Sequence, residues 1–254
     1  MNSSLLATSK EFICTVDLAK KRDYTTIQIY RDTPEVRHYP IESGRSPQVI
    51  NWMDLTYQAR MQGVRYTEQS KMIRELLKRT NLLNNTQLIV DGTGVGEAVV
   101  DIMREDGLMP LPIISTGGTN VNPVYAEFGK VFGGSSTQLR GAQVLKEMTV
   151  PKDDMVHAGM IVLEQGRLRM AENLKHVDDF RKQMARFKGK FNDKSGRTKY
   201  ENDDDTTHDD FVVTFLLASW WMTYKRVTVK ERVVHEQTNA DWNPMDFLDS
   251  NDFR

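Results

Sequence analysis

Asp17, Asp91, Asp209 and Asp210 stand where apolar patterning would not put an acid. Asp17 closes the run Phe12-Ile13-Cys14-Thr15-Val16, Asp91 closes Gln87-Leu88-Ile89-Val90, and the Asp209-Asp210 pair opens the most apolar helix pattern in the chain. Aspartate is disfavoured in strands, and a buried carboxylate costs free energy unless it is paired or bound to metal. Each acid alone has a plain reading: Asp91 before Gly92 as a turn residue, Asp209 or Asp210 as a helix N-cap. Together they read differently. If the strands ending at Asp17 and Asp91 are neighbours, and the last helix packs on their sheet, the acids converge. Two carboxylates about 5 Å apart repel by about 3 kcal/mol at an effective dielectric of ~20. A divalent cation offsets that repulsion, and oxygen-only ligands select Mg²⁺ or Mn²⁺ over zinc. Two such ions ~4 Å apart clamp the attacking and leaving oxygens of a phosphodiester.

The elements that must position these acids are legible in outline. Phe12 to Ala19 reads as a buried strand, followed by the polar turn Lys20 to Asp23 and a second strand, Tyr24 to Tyr30, which makes an antiparallel hairpin. Val36 to Ile41 is a candidate third strand, and Gln48 to Arg60 a candidate inserted helix. Thr67 to Lys78 predicts a helix, with Met72, Ile73, Leu76 and Leu77 as its apolar stripe. Strand Gln87 to Asp91, helix Glu97 to Glu105 and strand Leu111 to Ser115 then alternate, which points to parallel packing. Residues 116–136 read as a long loop and Gln138 to Met148 as a helix. His157 to Leu163 and Arg167 to Ala171 form a hairpin or a helix-turn-strand, and Asn173 to Phe187 a charged helix. Residues 188–205 show no core pattern. The last helix opens at His208-Asp209-Asp210 and runs to about Tyr224.

Three stretches carry a resemblance: V-D-L-A-K-K-R-D-Y-T at 16–25, V-D-G-T-G-V-G at 90–96 and H-D-D-F-V-V-T-F-L-L-A at 208–218. Together they resemble the nuclease domain of tailed-bacteriophage large terminase subunits, over roughly residues 15–222. V-P-K at 150–152 and L-E-Q-G-R-L at 163–168 fit the same order of elements. The resemblance implies an α/β, RNase H-like fold: a mixed central sheet, antiparallel in its first strands and then parallel, flanked by helices. It implies a metal-dependent endonuclease that cuts double-stranded viral DNA concatemers during genome packaging, with one or two Mg²⁺ or Mn²⁺ ions as cofactor. Asp17, Asp91, Asp209 and Asp210 match the acids of that family. A further aspartate often follows the pair by three residues; Val213 stands there in this chain. Lys152, which alone reads as a solvent-exposed lysine, gains a role in neutralising phosphate charge. His208 is open between a phosphate or water contact and a merely polar loop residue. Asp23 is open between a water-mediated metal contact and a turn cap. Implied partners are double-stranded DNA, the terminase ATPase domain, the small terminase subunit and the portal protein. The expected location is the cytoplasm, the host's if the chain is viral.

Composition sets limits on the alternatives. Thirty-four basic and 35 acidic residues leave a net charge of −1 over 254 residues, so bulk positive charge does not hold nucleic acid. One cysteine excludes a disulfide scaffold or a cysteine-rich zinc module and suggests a reducing compartment. No segment approaches the ~20 apolar residues that span a bilayer, and no signal peptide is visible. The glycines of Gly92-Thr93-Gly94-Val95-Gly96 fail the dinucleotide fingerprint, because Glu97 stands at the sixth place, and no Walker A lysine occurs anywhere. They fit a tight turn that leaves Asp91 accessible, with Thr93 as a hydrogen-bonding assistant. An ATPase motor is therefore expected to be absent, the chain being an excised domain or a separate nuclease.

Charge is uneven along the chain. Residues 165–200 hold eleven basic and four acidic side chains. Arg181, Lys182, Arg186, Lys188, Lys190, Lys194, Arg197 and Lys199 are candidates for DNA contact, or for a solvated helix face and loop. The acids from Glu201 to Asp205 follow, and could repel DNA until the loop moves. The expected organisation is a nuclease domain over 1–225 and a charged tail over 226–254. Trp242, Met245, Phe247, Leu248 and Phe253 in that tail suggest a partner-docking motif. Rival readings are a RuvC-like junction resolvase, an RNase H, or a packaging module without turnover.

Overall fold

Phe12–Asp17 forms β1, and its burial on both faces makes it the centre of the sheet. Cys14 and Val16 point to one face; Ile13, Thr15 and Asp17 point to the other, as strand alternation requires. The structure is a computed structural model and describes residues 10–19, 23–38, 48–127, 130–131, 143–192, 197–202 and 208–237. The remaining strands are β2 (Tyr24–Arg37), β3 (Gln48–Gln62), β4 (Thr86–Asp91), β5 (Pro110–Thr116), β6 (Asn122–Glu127), β7 (Gln143–Pro151), β8 (Leu168–Met170), β9 (Phe187–Asn192) and β10 (Arg197–Asn202). The helices are α1 (Tyr66–Arg79), α2 (Glu97–Glu105), α3 (Lys152–Glu164), α4 (Val177–Arg186) and α5 (Asp210–Gln237).

Among the described residues, eight strands make one sheet in the order β6-β7-β5-β4-β1-β2-β3-β8, and β9 pairs with β10 in a separate ribbon. β2 runs antiparallel to both of its neighbours, β1 and β3, whereas β1, β4, β5 and β7 run parallel. Three antiparallel strands joined to a parallel set, with helices on the faces, is the RNase H-like mixed α/β sheet. The face that carries Cys14, Val16, Ile27, Ile29, Leu88 and Val90 packs with Ile73 and Leu77 of α1 and Met103 of α2. Each such side chain, fully buried, contributes about 1.5–3 kcal/mol. The opposite face meets the first turns of α5, where the Thr214 hydroxyl donates to Gln28 Oε1 at 2.7 Å. Residues up to Trp220 form one unit, which contains everything described below. Trp221 onward form a second, helical as far as Gln237. The tail aromatics Trp242, Phe247 and Phe253, with Met245 and Leu248, lie outside the described residues. No described helix is long and apolar enough to cross a membrane.

Several elements differ from the sequence expectations. The candidate helix over Gln48 to Arg60 is strand β3, paired with β2 from Tyr24↔Gln62 to Arg37↔Gln48. Met53, Leu55, Tyr57, Ala59 and Met61 alternate at period two, and that periodicity prevails over the helical reading. The second strand continues to Arg37 and absorbs the start of the expected third strand at Val36. The expected helix over Gln138 to Met148 is replaced, within the described residues, by β7 from Gln143; Met148 and Val150 are buried and pair with β5. The long loop contains β6, an edge strand against β7. The featureless stretch after Phe187 contains the β9–β10 ribbon, where Phe187 and Tyr200 stack at 6.3 Å. Of the two readings over 157–171 the helix-turn-strand is the observed one. The charged helix is shorter than expected, as α4, and the last helix runs on to Gln237.

Candidate metal centre

Asp17 is the last residue of β1 and Asp91 the last of β4. The two strands run parallel in register, Val16 opposite Val90, so the next step sets the two carboxylates side by side on one face. Asp17 is also opposite Thr26, and Thr26 opposite Arg60. One row of the sheet therefore reads Arg60, Thr26, Asp17, Asp91. Burial pushes the Asp17 carboxyl well above its ordinary range, and repulsion from Asp91, Asp210, Asp209 and Asp23 pushes the same way. All four acids thus act electrostatically on Asp17.

Asp91 is raised mainly by burial, against hydrogen bonds from Thr93 and the positive charge of Lys152. The Thr93 amide donates to Asp91 Oδ1 at 2.8 Å, and the Ser115 amide donates to Thr93 Oγ1 at 2.9 Å. That pair fixes one carboxylate oxygen and ties the glycine turn to β5. Gly92 is required by space, since a Cβ there would lie 2.9 Å from Ile114 Cγ1 and 3.2 Å from Pro112 Cβ. Gly94 is required by its backbone, at φ +77°.

Asp209 and Asp210 sit at the start of α5. The Gln183 side chain accepts from the Phe211 amide at 2.9 Å, and Phe211 and Phe215 pack on Phe180 of α4. These contacts hold the helix start against the sheet. Asp210 is only 7% exposed, and its carboxyl is pushed up to about 6, by burial first. His208 and Arg60 oppose that shift; Asp209 and Asp23 add to it. Asp210 Oδ2 is buried without a hydrogen-bond partner.

Lys152 is the first residue of α3, directly after the end of β7. Its Nζ donates to the Tyr200 carbonyl at 2.9 Å and acts electrostatically on Asp91, so it is a part-buried lysine near that carboxylate. A cleft of about 110 Å³ brings together Asp91, Thr93, Ser115, Lys152 and Val213. Val213 therefore lines the cleft at the position where the resemblance would have put another aspartate. Asp23 is largely exposed at the rim, 3.8 Å from His208 Nδ1, and the His208 ring meets Tyr24 edge-on at 5.5 Å.

Arg60 was not found in the sequence, because the stretch around it read as a helix. A strand reading alone would not have placed it, because the register of β3 shifts between Leu55 and Tyr57. Of the basic candidates, Arg181, Lys182, Arg186, Lys188 and Lys190 are exposed on α4 and β9. Arg197 and Lys199 lie on β10, and Lys194 lies outside the described residues, as do Asp203, Asp204 and Asp205.

Among the described residues no three His, Cys, Asp or Glu side chains already enclose a common point, so the acids form an open row and not a closed cage. Their chemistry still fits a hard divalent cation. The donors are all oxygens, three of the carboxyls are held above their ordinary range, and one buried oxygen lacks any donor.

No protein-family model and no curated protein matches the sequence. Among solved structures, the chain is similar to the large terminase nuclease from thermophilic phage G20c with bound magnesium. There the TM-score is 0.49 at 16% identity, covering 82% of this chain and 79% of that one. The form with bound zinc gives 0.41 at 15% identity, over 82% and 78%. The P22 large terminase nuclease domain gives 0.38 at 11% identity, over 81% of each chain. The likeness is one of overall course, and the acid row is the feature from which function must be read.

Proposed function

We propose that this chain is a divalent-metal-dependent endonuclease acting on double-stranded DNA. The observation that carries the reading is the convergence of Asp17, Asp91, Asp209 and Asp210 at the carboxyl ends of two parallel strands and the start of one helix. Asp17, Asp91 and the Asp209-Asp210 pair would hold Mg²⁺ or Mn²⁺. An ion held there supplies Lewis acidity toward a phosphodiester and makes water a competent nucleophile near neutral pH. The protein's own groups do the rest. Thr93 fixes the orientation of Asp91. Lys152, anchored on the Tyr200 carbonyl, presents a positive charge to the phosphoryl oxygens from the Asp91 side. The exposed lysines and arginines of α4 and β9 suit a duplex backbone and read no base.

The finer reading is a nuclease of viral genome packaging, working in the host cytoplasm with an ATPase motor, a small terminase subunit and a portal protein. Residues 1–225 would be the nuclease and 226–254 a partner-docking tail. The sequence motifs at 16–25, 90–96 and 208–218 support this. The test is cleavage of supercoiled plasmid with Mg²⁺ or Mn²⁺ by the full chain and by Asp17→Ala and Asp91→Ala, beside a four-way junction and an RNA–DNA hybrid. Linearisation by the parent chain alone is expected. Equal activity in all three proteins would sink the metal-centre assignment, and cutting confined to junctions or hybrids would replace the substrate.

A further inference from the structure

The acid row has a positively charged flank at each end. Lys152 stands beside Asp91. At the other end, beyond Thr26, stands Arg60, whose charge acts on Asp210. Three strand spacings, roughly 14 Å, separate the Arg60 backbone from that of Asp91. Arg60 reaches this face because of an irregularity in β3. Tyr30 pairs with Leu55 but Ile29 pairs with Tyr57, so Thr56 is an extra residue. The bulge turns Tyr57, Ala59 and Met61 toward the α1 and α2 core and sends Gln58 and Arg60 to the face of Asp17. Bulges re-aim side chains in this way near functional sites.

The guanidinium is braced but not consumed. Its Cζ lies 3.4 Å from the centroid of the Tyr24 ring, a close cation–π stack. Its Nη1 is 3.8 Å from Asp179 Oδ2, beyond hydrogen-bonding length, and its Nε is buried without a hydrogen-bond partner. An arginine serving only as a structural ion pair would close that contact. Here a guanidinium is held over an aromatic ring, and the side chain stays one-fifth exposed. That is a preorganised donor to a phosphate.

We propose that Arg60, braced on Tyr24, binds a non-scissile phosphate of the strand being cut, on the Asp210 side of the metal centre. The assignment rests on the nuclease reading for the identity of the strand, though phosphate binding itself does not depend on turnover. Arg60 and Lys152 would then fix the direction in which a backbone crosses the acid row.

The test is binding of a short duplex over a range of salt, with Ca²⁺ in place of Mg²⁺. Loss of one phosphate contact reduces the slope of log K against log salt by about 0.9. Arg60→Gln is expected to lose that increment while Arg60→Lys keeps it, both with the parent's melting temperature. An unchanged slope in a folded Arg60→Gln overturns the proposal. Should Arg60→Gln fold poorly, modification of the parent chain by phenylglyoxal decides: duplex must protect Arg60, and equal labelling with and without DNA overturns the assignment. A parent chain that binds duplex through Arg60 but never cuts with Mg²⁺ or Mn²⁺ would count against the nuclease reading alone.

Discussion

Asp17 and Asp91 stand at one step of two adjacent parallel strands, with Val16 opposite Val90 immediately before them. Nothing in strand pairing requires two acids there. At about 5 Å and an effective dielectric of ~20 their ionised forms repel by about 3 kcal/mol. Removing one charge should therefore help the fold and end the function. Asp17→Asn is expected to melt higher than the parent in EDTA. Its cleavage should fall by roughly 100-fold or more, the scale of losing a principal electrostatic stabiliser. Mg²⁺ should raise the parent's melting temperature and leave that of Asp17→Asn nearly unchanged. Paired melts with and without Mg²⁺ check this; an equal Mg²⁺ shift in both proteins would speak against a metal held by Asp17.

The Asp210 carboxyl gives a pH dependence with a definite sign. Its folded pKa of about 6 lies above the unfolded value, so the folded chain holds the extra proton between about pH 4 and 6. The associated stability is fully present below about pH 4 and is lost as pH rises through about 6. A shift of about two units bounds it at about 3 kcal/mol. Metal-free Asp210→Asn lacks this slope. The difference in stability between variant and parent, read from urea melts in EDTA, should be largest above pH 6 and shrink toward pH 4. A gap independent of pH would mean that Asp210 is ionised in the folded chain throughout.

Lys152 illustrates how far a sequence carries and where it stops. As a lone lysine after a proline it had no local reason to be functional, and only the order of motifs singled it out. Its proximity to Asp91 arises from β7 running parallel to β5, a pairing hidden because Gln143 to Met148 read as a helix. The acids were legible because a carboxylate at the end of an apolar strand violates a local rule. Arg60 was not, because its face is set by a bulge at Thr56, and a one-residue register change leaves no mark in composition or periodicity. The central order of strand, hairpin, helix and parallel strand was readable. The ribbon of β9 and β10 was not, since its ladder runs through charged residues and Gly189 with no apolar alternation, the Phe187–Tyr200 stack apart.

Lys152 itself can be tested without disturbing the acids. Lys152→Met keeps the aliphatic stem and removes the charge that acts on Asp91. Cleavage is expected to fall by about 100-fold in kcat, with little change in the Mg²⁺-induced melting shift. A drop in duplex affinity with kcat preserved would assign Lys152 to ground-state DNA binding instead.

The helix that begins with Lys152, α3, and the one that begins at Asp210, α5, approach each other closely at Gly159. A Cβ on Gly159 would lie 2.5 Å from Leu216 Cδ2 and 3.1 Å from Phe215 Cε1. Phe215 is completely buried and has no room to withdraw, whereas the Leu216 tip can relieve its contact only by turning into the cleft that it lines beside Lys152. Gly159→Ala gains helix propensity of about 1 kcal/mol and loses more through overpacking, about 1–3 kcal/mol. The expected outcome is a lower melting temperature, together with a fall in kcat that exceeds any change in duplex affinity, because the helices part at the site and not at the exposed basic surface. A variant as stable and as active as the parent would mean that α3 and α5 can shift without moving Lys152 from the acids. The site's geometry would then be set by the sheet alone.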